Sequence, residues 1–253
     1  MKGRLALFDI SNIEKFFQGT FKVLNGLPRY VALEENEAQP DPDFKEKISH
    51  LVEAGEVNKL HYISVLIQKS NHDYMSILVN NGFQYRSSIL EYTKELGSVD
   101  EYPPPFQWKS LKDVLSEEEF KNIWERCMLF SDNKPSTLSM NQHLDSVKTE
   151  LGDNWRNSCR VFINEENPIA VVIPHIEPGT TDEGRLFYFG IIPEERGKGL
   201  GSILHKQSLR FLKEIGATYY VGGTHSTNIK MQHIFKSNGC RLKSEMESYY
   251  KYF

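Results

Sequence analysis

Arg196-Gly197-Lys198-Gly199-Leu200-Gly201 is the stretch that decides the reading of this chain. Glycines at 197, 199 and 201 let backbone N–H groups turn inward with no Cβ in the way. A helical pattern starts immediately afterwards, with Ile203, Leu204, Leu209, Phe211, Leu212 and Ile215 as its apolar surface and Gly216 as its stop. The N-terminus of that helix adds unpaired donors and a positive dipole end, so the combination suits a phosphate or pyrophosphate. Taken alone, the same letters also describe a tight strand-to-helix turn with solvated charges at Arg196 and Lys198. Two rival phosphate motifs fail outright. A P-loop needs Ser or Thr after Gly-Lys and meets Gly199, and a dinucleotide fingerprint needs a third glycine where Ser202 stands.

Upstream of this loop, residues 116–129 and 139–151 read as amphipathic helices, the first with Phe120, Ile123, Trp124 and Cys127 at helical spacing. Residues 159–163, 169–173 and 186–192 are β-branched or aromatic runs and read as strands. Downstream come a short strand at 219–221, a helix at 228–237 closed by Asn238-Gly239, and a Tyr-rich strand at 246–253. The order is helices, an antiparallel meander, then β-loop-α-β-α-β. A glycine loop so late in the chain argues against a βαβ nucleotide fold, which opens with its first strand.

From about residue 106 to its end the chain resembles the GCN5-related N-acetyltransferase (GNAT) superfamily. The family's acyl-CoA signature is Arg or Gln, two residues, Gly, one residue, then Gly or Ala; Arg196, Gly199 and Gly201 meet all three fixed points. Phe187-Tyr188-Phe189-Gly190-Ile191-Ile192-Pro193 resembles the strand that leads into that loop, and Asn228 with Gly239 matches a later element. The resemblance implies an α/β fold of the α+β type, a mixed, mostly antiparallel central sheet flanked by helices. It also implies transfer of an acetyl group from acetyl-CoA to a primary amine of a small-molecule or peptide acceptor. The main chain of Phe189, Gly190, Ile191 and Ile192 would run beside the pantetheine arm. Arg196, Gly197, Lys198, Gly199, Leu200, Gly201 and Ser202 would take the pyrophosphate, with Asn228 and Phe235 completing the cofactor site. The family often places at position 235 a Tyr that protonates the departing thiolate, and a phenyl ring cannot donate a proton. Met231 and Cys240 are further departures, replacing a small residue and a Phe.

Acyl transfer to an amine needs a neutral nucleophile, donors for the carbonyl oxygen and a route for the surplus proton. Glu183, just before the strand at 186–192, ranks first as the base, then His225 and then His175; each also reads as an ordinary turn, capping or strand-end residue. The backbone N–H of Gly190 or Ile191 is the expected donor to the carbonyl. Asp132, Asp145 and Glu150 would favour a cationic acceptor. A non-catalytic acyl-CoA-binding or scaffold module is the alternative, motivated by Phe235 and the lack of an evident base.

Composition narrows the classes. The 253 residues include 39% hydrophobic and 25% charged residues, ordinary globular usage, and a net charge of −4 leaves no basic footprint for nucleic acid or anionic membrane. Three scattered cysteines without CxxC spacing and eight histidines without a ligand pair give no pattern for a disulfide framework or a metal site. No apolar run reaches membrane-spanning length, so a cytoplasmic protein is expected.

An internal echo stands at an offset of 157 residues. Tyr62, Asn71, Ile77, Asn81, Gly82, Ser87, Tyr92 and Lys94 recur as Tyr219, Asn228, Ile234, Asn238, Gly239, Ser244, Tyr249 and Lys251. Residues 61–67, 73–80 and 83–93 accordingly read as strand, helix and strand. The division expected is a shortened, degenerate copy at 1–97, a Pro-rich linker at 98–105 and a complete catalytic domain at 106–253. In the first copy residues 39–44, Gln-Pro-Asp-Pro-Asp-Phe, fall opposite the glycine loop. Prolines remove donors there and aspartates repel phosphate, so a single CoA per chain is expected.

Overall fold

The computed structural model describes residues 10–36, 41–97, 105–113, 115–133, 135–136 and 138–253. The expected linker at 98–105 lies outside them apart from Pro105, as do Gln39 and Pro40 of the comparison with the glycine loop. In chain order the elements are α1 (Ile13–Phe16), β1 (Phe21–Gly26), β2 (Tyr30–Glu35), α2 (Phe44–Asn58), β3 (Tyr62–Gln68), α3 (His72–Asn80) and β4 (Gln84–Glu95). There follow β5 (Gln107–Ser110), α4 (Glu117–Met128), α5 (Met140–Leu151), α6 (Trp155–Ser158), β6 (Arg160–Asn164), β7 (Asn167–Ile176) and β8 (Glu183–Ile191). The last are α7 (Leu200–Glu214), β9 (Tyr219–His225), α8 (Ile229–Ser237) and β10 (Arg241–Tyr252). Mixed α/β architecture with mostly antiparallel pairing is as expected; β1, β2, α2 and β5 are elements beyond those expected, α2 burying Phe44, Ile48 and Leu51 at helical spacing.

Two compact units result, Met1–Leu90 with Ser244–Phe253, and Glu91–Lys243. Their limits fall inside β4 and β10, two long strands, rather than at the proline run near residue 100. In the first unit β1 and β2 form an antiparallel pair from Phe21↔Glu35 to Gly26↔Tyr30. β2 then runs parallel to β3 through five register pairs, Tyr30↔Tyr62 to Glu34↔Leu66. The chain's last strand completes this unit: β10 lies antiparallel to β3 from Met246↔Gln68 to Tyr252↔Tyr62. Alternation explains β3, whose Ile63, Val65 and Ile67 are fully buried between polar or half-buried neighbours. Phe21, Phe44 and Tyr74 stack in its core, Phe44 on Tyr74 at 3.9 Å between ring centroids.

The second unit is a sheet in the order β5-β6-β7-β8-β9, with helices on both faces. Its two N-terminal helices start where a capping box starts them: Ser116 with Glu119, and Ser139 with Gln142, exchange side-chain and backbone hydrogen bonds. Strand alternation sorts the core into two layers. Val161, Val171 and Ile173 pack with Phe120, Trp124, Leu144 and Val147 of α4 and α5, whereas Phe162, Ala170 and Val172 pack with Leu204 and Phe211 of α7. The β7–β8 ladder slips by one residue between Ile173 and Pro174, which pair with Tyr188 and Leu186 and leave Phe187 unpaired. Proline cannot donate to a ladder, and the resulting bulge puts Phe187 and Tyr188 together against the α4 layer.

The internal echo is structural. β9, α8 and β10 repeat β3, α3 and β4 with the same lengths, each starting 157 residues later (219 − 62, 229 − 72, 241 − 84). Asn71 and Asn228 cap their helices through the side-chain oxygen, accepting from the Tyr74 and Met231 N–H groups, with φ, ψ of −90°, 72° and −83°, 74°. Gly82 and Gly239 follow the C-caps at φ 82° and 75°.

Candidate active site

β8 and β9 are parallel neighbours, but only Glu183↔Tyr219 and Gly184↔Tyr220 are in register. Beyond that pair β8 continues to Ile191 and β9 to His225, so the two strands part and leave a V-shaped notch between facing main-chain edges. Burial follows the same line: Glu183 and Gly184 are buried, and every residue from Arg185 to Ile191 is only half-buried.

The notch opens beside the glycine loop. Gly197 and Gly199 have φ of 76° and 79° and nothing within 4 Å of where a Cβ would stand. Gly199 is the N-cap of α7, left-handed and with no side-chain cap, so the first-turn N–H groups of a 15-residue helix have no intrahelical acceptor. Gly201 has a different reason to be glycine, since a Cβ there would lie 2.7 Å from Ile234 Cδ1 of α8. Ser202 Oγ is 2.7 Å from Ser237 Oγ, and Asn238 donates to the Ser202 carbonyl at 2.9 Å, which fixes the start of α7 against the end of α8.

Arg196 has another use than free charge. Its Nε donates to the Ile191 carbonyl at 2.8 Å, Nη1 to the Leu129 and Phe130 carbonyls at 2.7 and 3.1 Å, and Nη2 to the Cys127 carbonyl at 2.9 Å. It thus satisfies the C-terminal end of α4. Lys198 is exposed and pairs with Glu195 at 3.0 Å. Leu200 opens α7 in the α7-side core layer with Phe189 and Ile191. The Ile192 N–H donates to the Ile169 carbonyl at 3.0 Å. Asn228 caps α8 and also donates to Asn133 Oδ1 at 2.9 Å.

The catalytic candidates separate. Glu183 is the first residue of β8, not a residue of the preceding loop, and sits at the closed apex of the notch. Its carboxylate accepts from Arg185 Nε at 2.6 Å and from the Tyr219 hydroxyl at 3.0 Å. Burial alone would raise its pKa, but Arg185's charge and hydrogen bond and the Tyr219 hydroxyl hold it below the ordinary value. His175 joins the same cluster, with Nε2 3.2 Å from Glu177 and 3.4 Å from Glu150. These three supply ligand-type atoms within 4.8 Å of one another, a convergence that their separation in the sequence hides. His225 closes β9, on the far limb of the notch from this cluster. Phe235 is 1% exposed, in a cluster with Tyr92 (4.9 Å), His205 (5.4 Å) and Tyr220.

The model of the Acetyltransferase (GNAT) family matches residues 117–240. Residues 117–240 are thus a GNAT acetyltransferase domain, of a family whose activity is acyl transfer. The fold is similar to that of a GCN5-related N-acetyltransferase from Sphaerobacter thermophilus, with TM-score 0.65, 11% identity, and 96% of this chain and 85% of the other covered. It is similar also to a GCN5-related N-acetyltransferase from Kribbella flavida, with TM-score 0.58, 14% identity and 95% and 93% coverage. A tandem GNAT protein of the clavulanic acid biosynthesis pathway matches at TM-score 0.52 and 9% identity, over 92% of this chain and 78% of its own. No curated protein matches the sequence. Among the described residues no helix is long and apolar enough to cross a membrane.

Proposed function

We propose that the second unit transfers an acetyl group from acetyl-CoA to a primary amine of a small-molecule or peptide acceptor. The observation that carries this is the parting of β8 and β9 after two register pairs, directly upstream of a glycine-capped helix N-terminus. The notch offers what the donor substrate needs: strand edges for an amide-bearing arm and unpaired N–H groups for its pyrophosphate. Gly197, Gly199 and the first turn of α7 would hold the phosphates through the main chain, with Lys198 adding charge and Arg196 fixing the loop rather than touching the ligand.

Strand alternation selects among the carbonyl donors. The Ile192 N–H points to β7, so that of Ile191 points away from β7 into the notch, and that of Gly190 points back. We assign the oxyanion contact to Ile191. When bound, acetyl-CoA supplies the thioester; the acceptor amine adds to its carbonyl carbon, and the C–S bond then breaks to release the thiolate. A thiolate with the ordinary pKa of roughly 8.5 leaves without a proton donor, which accommodates Phe235. The amine's surplus proton goes to His225, at the open end of β9, in preference to Glu183, which lies at the closed apex of the notch and is held there by Arg185 and Tyr219. Turnover of acetyl-CoA against a panel of amines, read as thiol release, tests the reading. Binding of CoA without turnover on any amine would favour a non-catalytic acyl-CoA-binding module.

A further inference from the structure

The segment between α4 and α5 is tied down at two places. At one end the Leu129 and Phe130 carbonyls accept from Arg196, whose Nε reaches the end of β8 at Ile191. At the other, Asn133 Oδ1 accepts from Asn228, and Asp132 pairs with Lys230 at 3.0 Å, both just beyond β9. Residues 129–133 therefore run from the end of one limb of the notch to the end of the other. Three residue steps from 130 to 133 reach about 10 Å. A gap left by one missing strand, twice the interstrand spacing, is also about 10 Å wide.

Within this strap Phe130 is left in a costly state. It has φ 53°, a region bulky L residues rarely enter, and its side chain belongs to a residue 83% exposed. Bonds from Arg196 to its own carbonyl and that of Leu129 hold the backbone there. We infer that the strap closes over the pantetheine arm of bound acyl-CoA and that Phe130 packs on that arm. This rests on the proposed function and adds a binding residue that the glycine signature lacks. The arm is the occupant because it is the part of the ligand that leaves the pyrophosphate loop and enters the notch, beneath the segment that bridges its two limbs.

The test compares CoA with adenosine 3′,5′-bisphosphate, which has the nucleotide head without the arm, by calorimetry on the full chain. Phe130→Ala is expected to weaken CoA about tenfold, the scale of losing a buried ring contact, and to change adenosine 3′,5′-bisphosphate binding less than twofold. Phe130→Tyr, which keeps the ring, should retain CoA affinity. Equal weakening of both ligands would overturn the inference, since it would mean a disturbed phosphate loop. Unchanged CoA affinity with a raised acceptor KM would also overturn it by placing the ring on the acceptor. If the unaltered chain binds neither ligand, the CoA reading itself falls and takes the strap with it; if it binds CoA and Phe130→Ala does too, only the strap falls.

Discussion

The two β-α-β-α-β stretches differ where a ligand would enter, while their last three elements agree in length and spacing. β2 and β3 stay in register for five pairs, whereas β8 and β9 part after two. α2 and α7 are both 15 residues long and neither has a side-chain cap, but the N-cap position is Asp43 in α2 and left-handed Gly199 in α7. Just before α2, buried Asp41 accepts from the Asp43 N–H at 3.0 Å, Thr20 at 2.9 Å and Lys47 at 2.7 Å. A carboxylate of the chain itself thus gathers donors where the other copy leaves them open. Glu35, at the end of β2, accepts from the Gln68 N–H at 2.6 Å and from Asn71 at 2.9 Å, fastening β2 to the end of β3. The same fold therefore occurs twice in one chain, once with the strands zipped and once with the notch that the proposed function fills.

The sharpest way to break the comparison is at the open nest. Gly199→Asp adds a charge beside the proposed phosphate position, where a Cβ would meet no atom within 4 Å and where Asp is among the residues that best bear the strain of positive φ. CoA affinity should fall at least about 100-fold, while Gly199→Asn, which meets the same backbone strain without the charge, should lose far less. Calorimetric stoichiometry on the unaltered chain should be one CoA, and two would end the claim that the first copy is closed. Next in size is the proton route. His225→Ala should lower kcat on the order of 100-fold with CoA affinity kept, whereas Glu183→Gln should act mainly on stability; the opposite ranking in paired kinetic and melting experiments would return the base to Glu183.

The closed copy can be tested from its own side. Asp41→Ala removes the acceptor shared by three donors and should destabilise the chain by about 2 kcal/mol in urea melts, without altering CoA affinity. Burial pushes the Asp41 pKa up, but Lys47, Thr20 and the Asp43 N–H outweigh it and leave it lowered. Its stabilising effect is therefore full at neutral pH and is lost as pH falls below the ordinary Asp range through the lowered value, so Asp41→Ala should flatten the acid limb of the stability curve. Smallest is Phe235→Tyr. In a ring cluster 1% exposed, a new hydroxyl is expected to cost about 1 kcal/mol and to leave turnover unchanged; a gain in turnover would show that the position reaches the thiolate.

How much of this was legible depends on whether the cause is local. The amphipathic helices over 116–129 and 139–151, the helix after the glycine loop and the Asn71/Asn228 repeat are written in neighbouring letters, and the structure shows each. Arg196 was legible as part of a signature but not as a cap on α4, because its three partners there are carbonyls 66 to 69 residues away, and a main-chain carbonyl leaves no mark in side-chain identity. The bulge at Phe187 had one faint signal, Pro174 in the facing strand. The Glu150, His175 and Glu177 convergence had none, since a helix and a strand must first pack to bring those atoms together. The first unit's second strand was hidden for a related reason: Tyr30-Val-Ala-Leu-Glu-Glu35 is a short run held between β1 before it and β3 after it, and its parallel pairing with β3 forms only once α2 has crossed between them.

The return of β10 to the first unit sets a clock on synthesis. β3 leaves the ribosome with Gln68, but its antiparallel partner is not complete until Tyr252, 252 − 68 = 184 residues later. At roughly 5 to 20 residues per second that interval is about 10 to 40 s, during which the β3 edge has no β10 to cover it. An uncovered edge is a template for pairing with other chains. Growth of this protein from its N-terminus cannot proceed by finishing one unit before starting the next, and nascent chains stalled short of residue 246 should be those that engage chaperones longest.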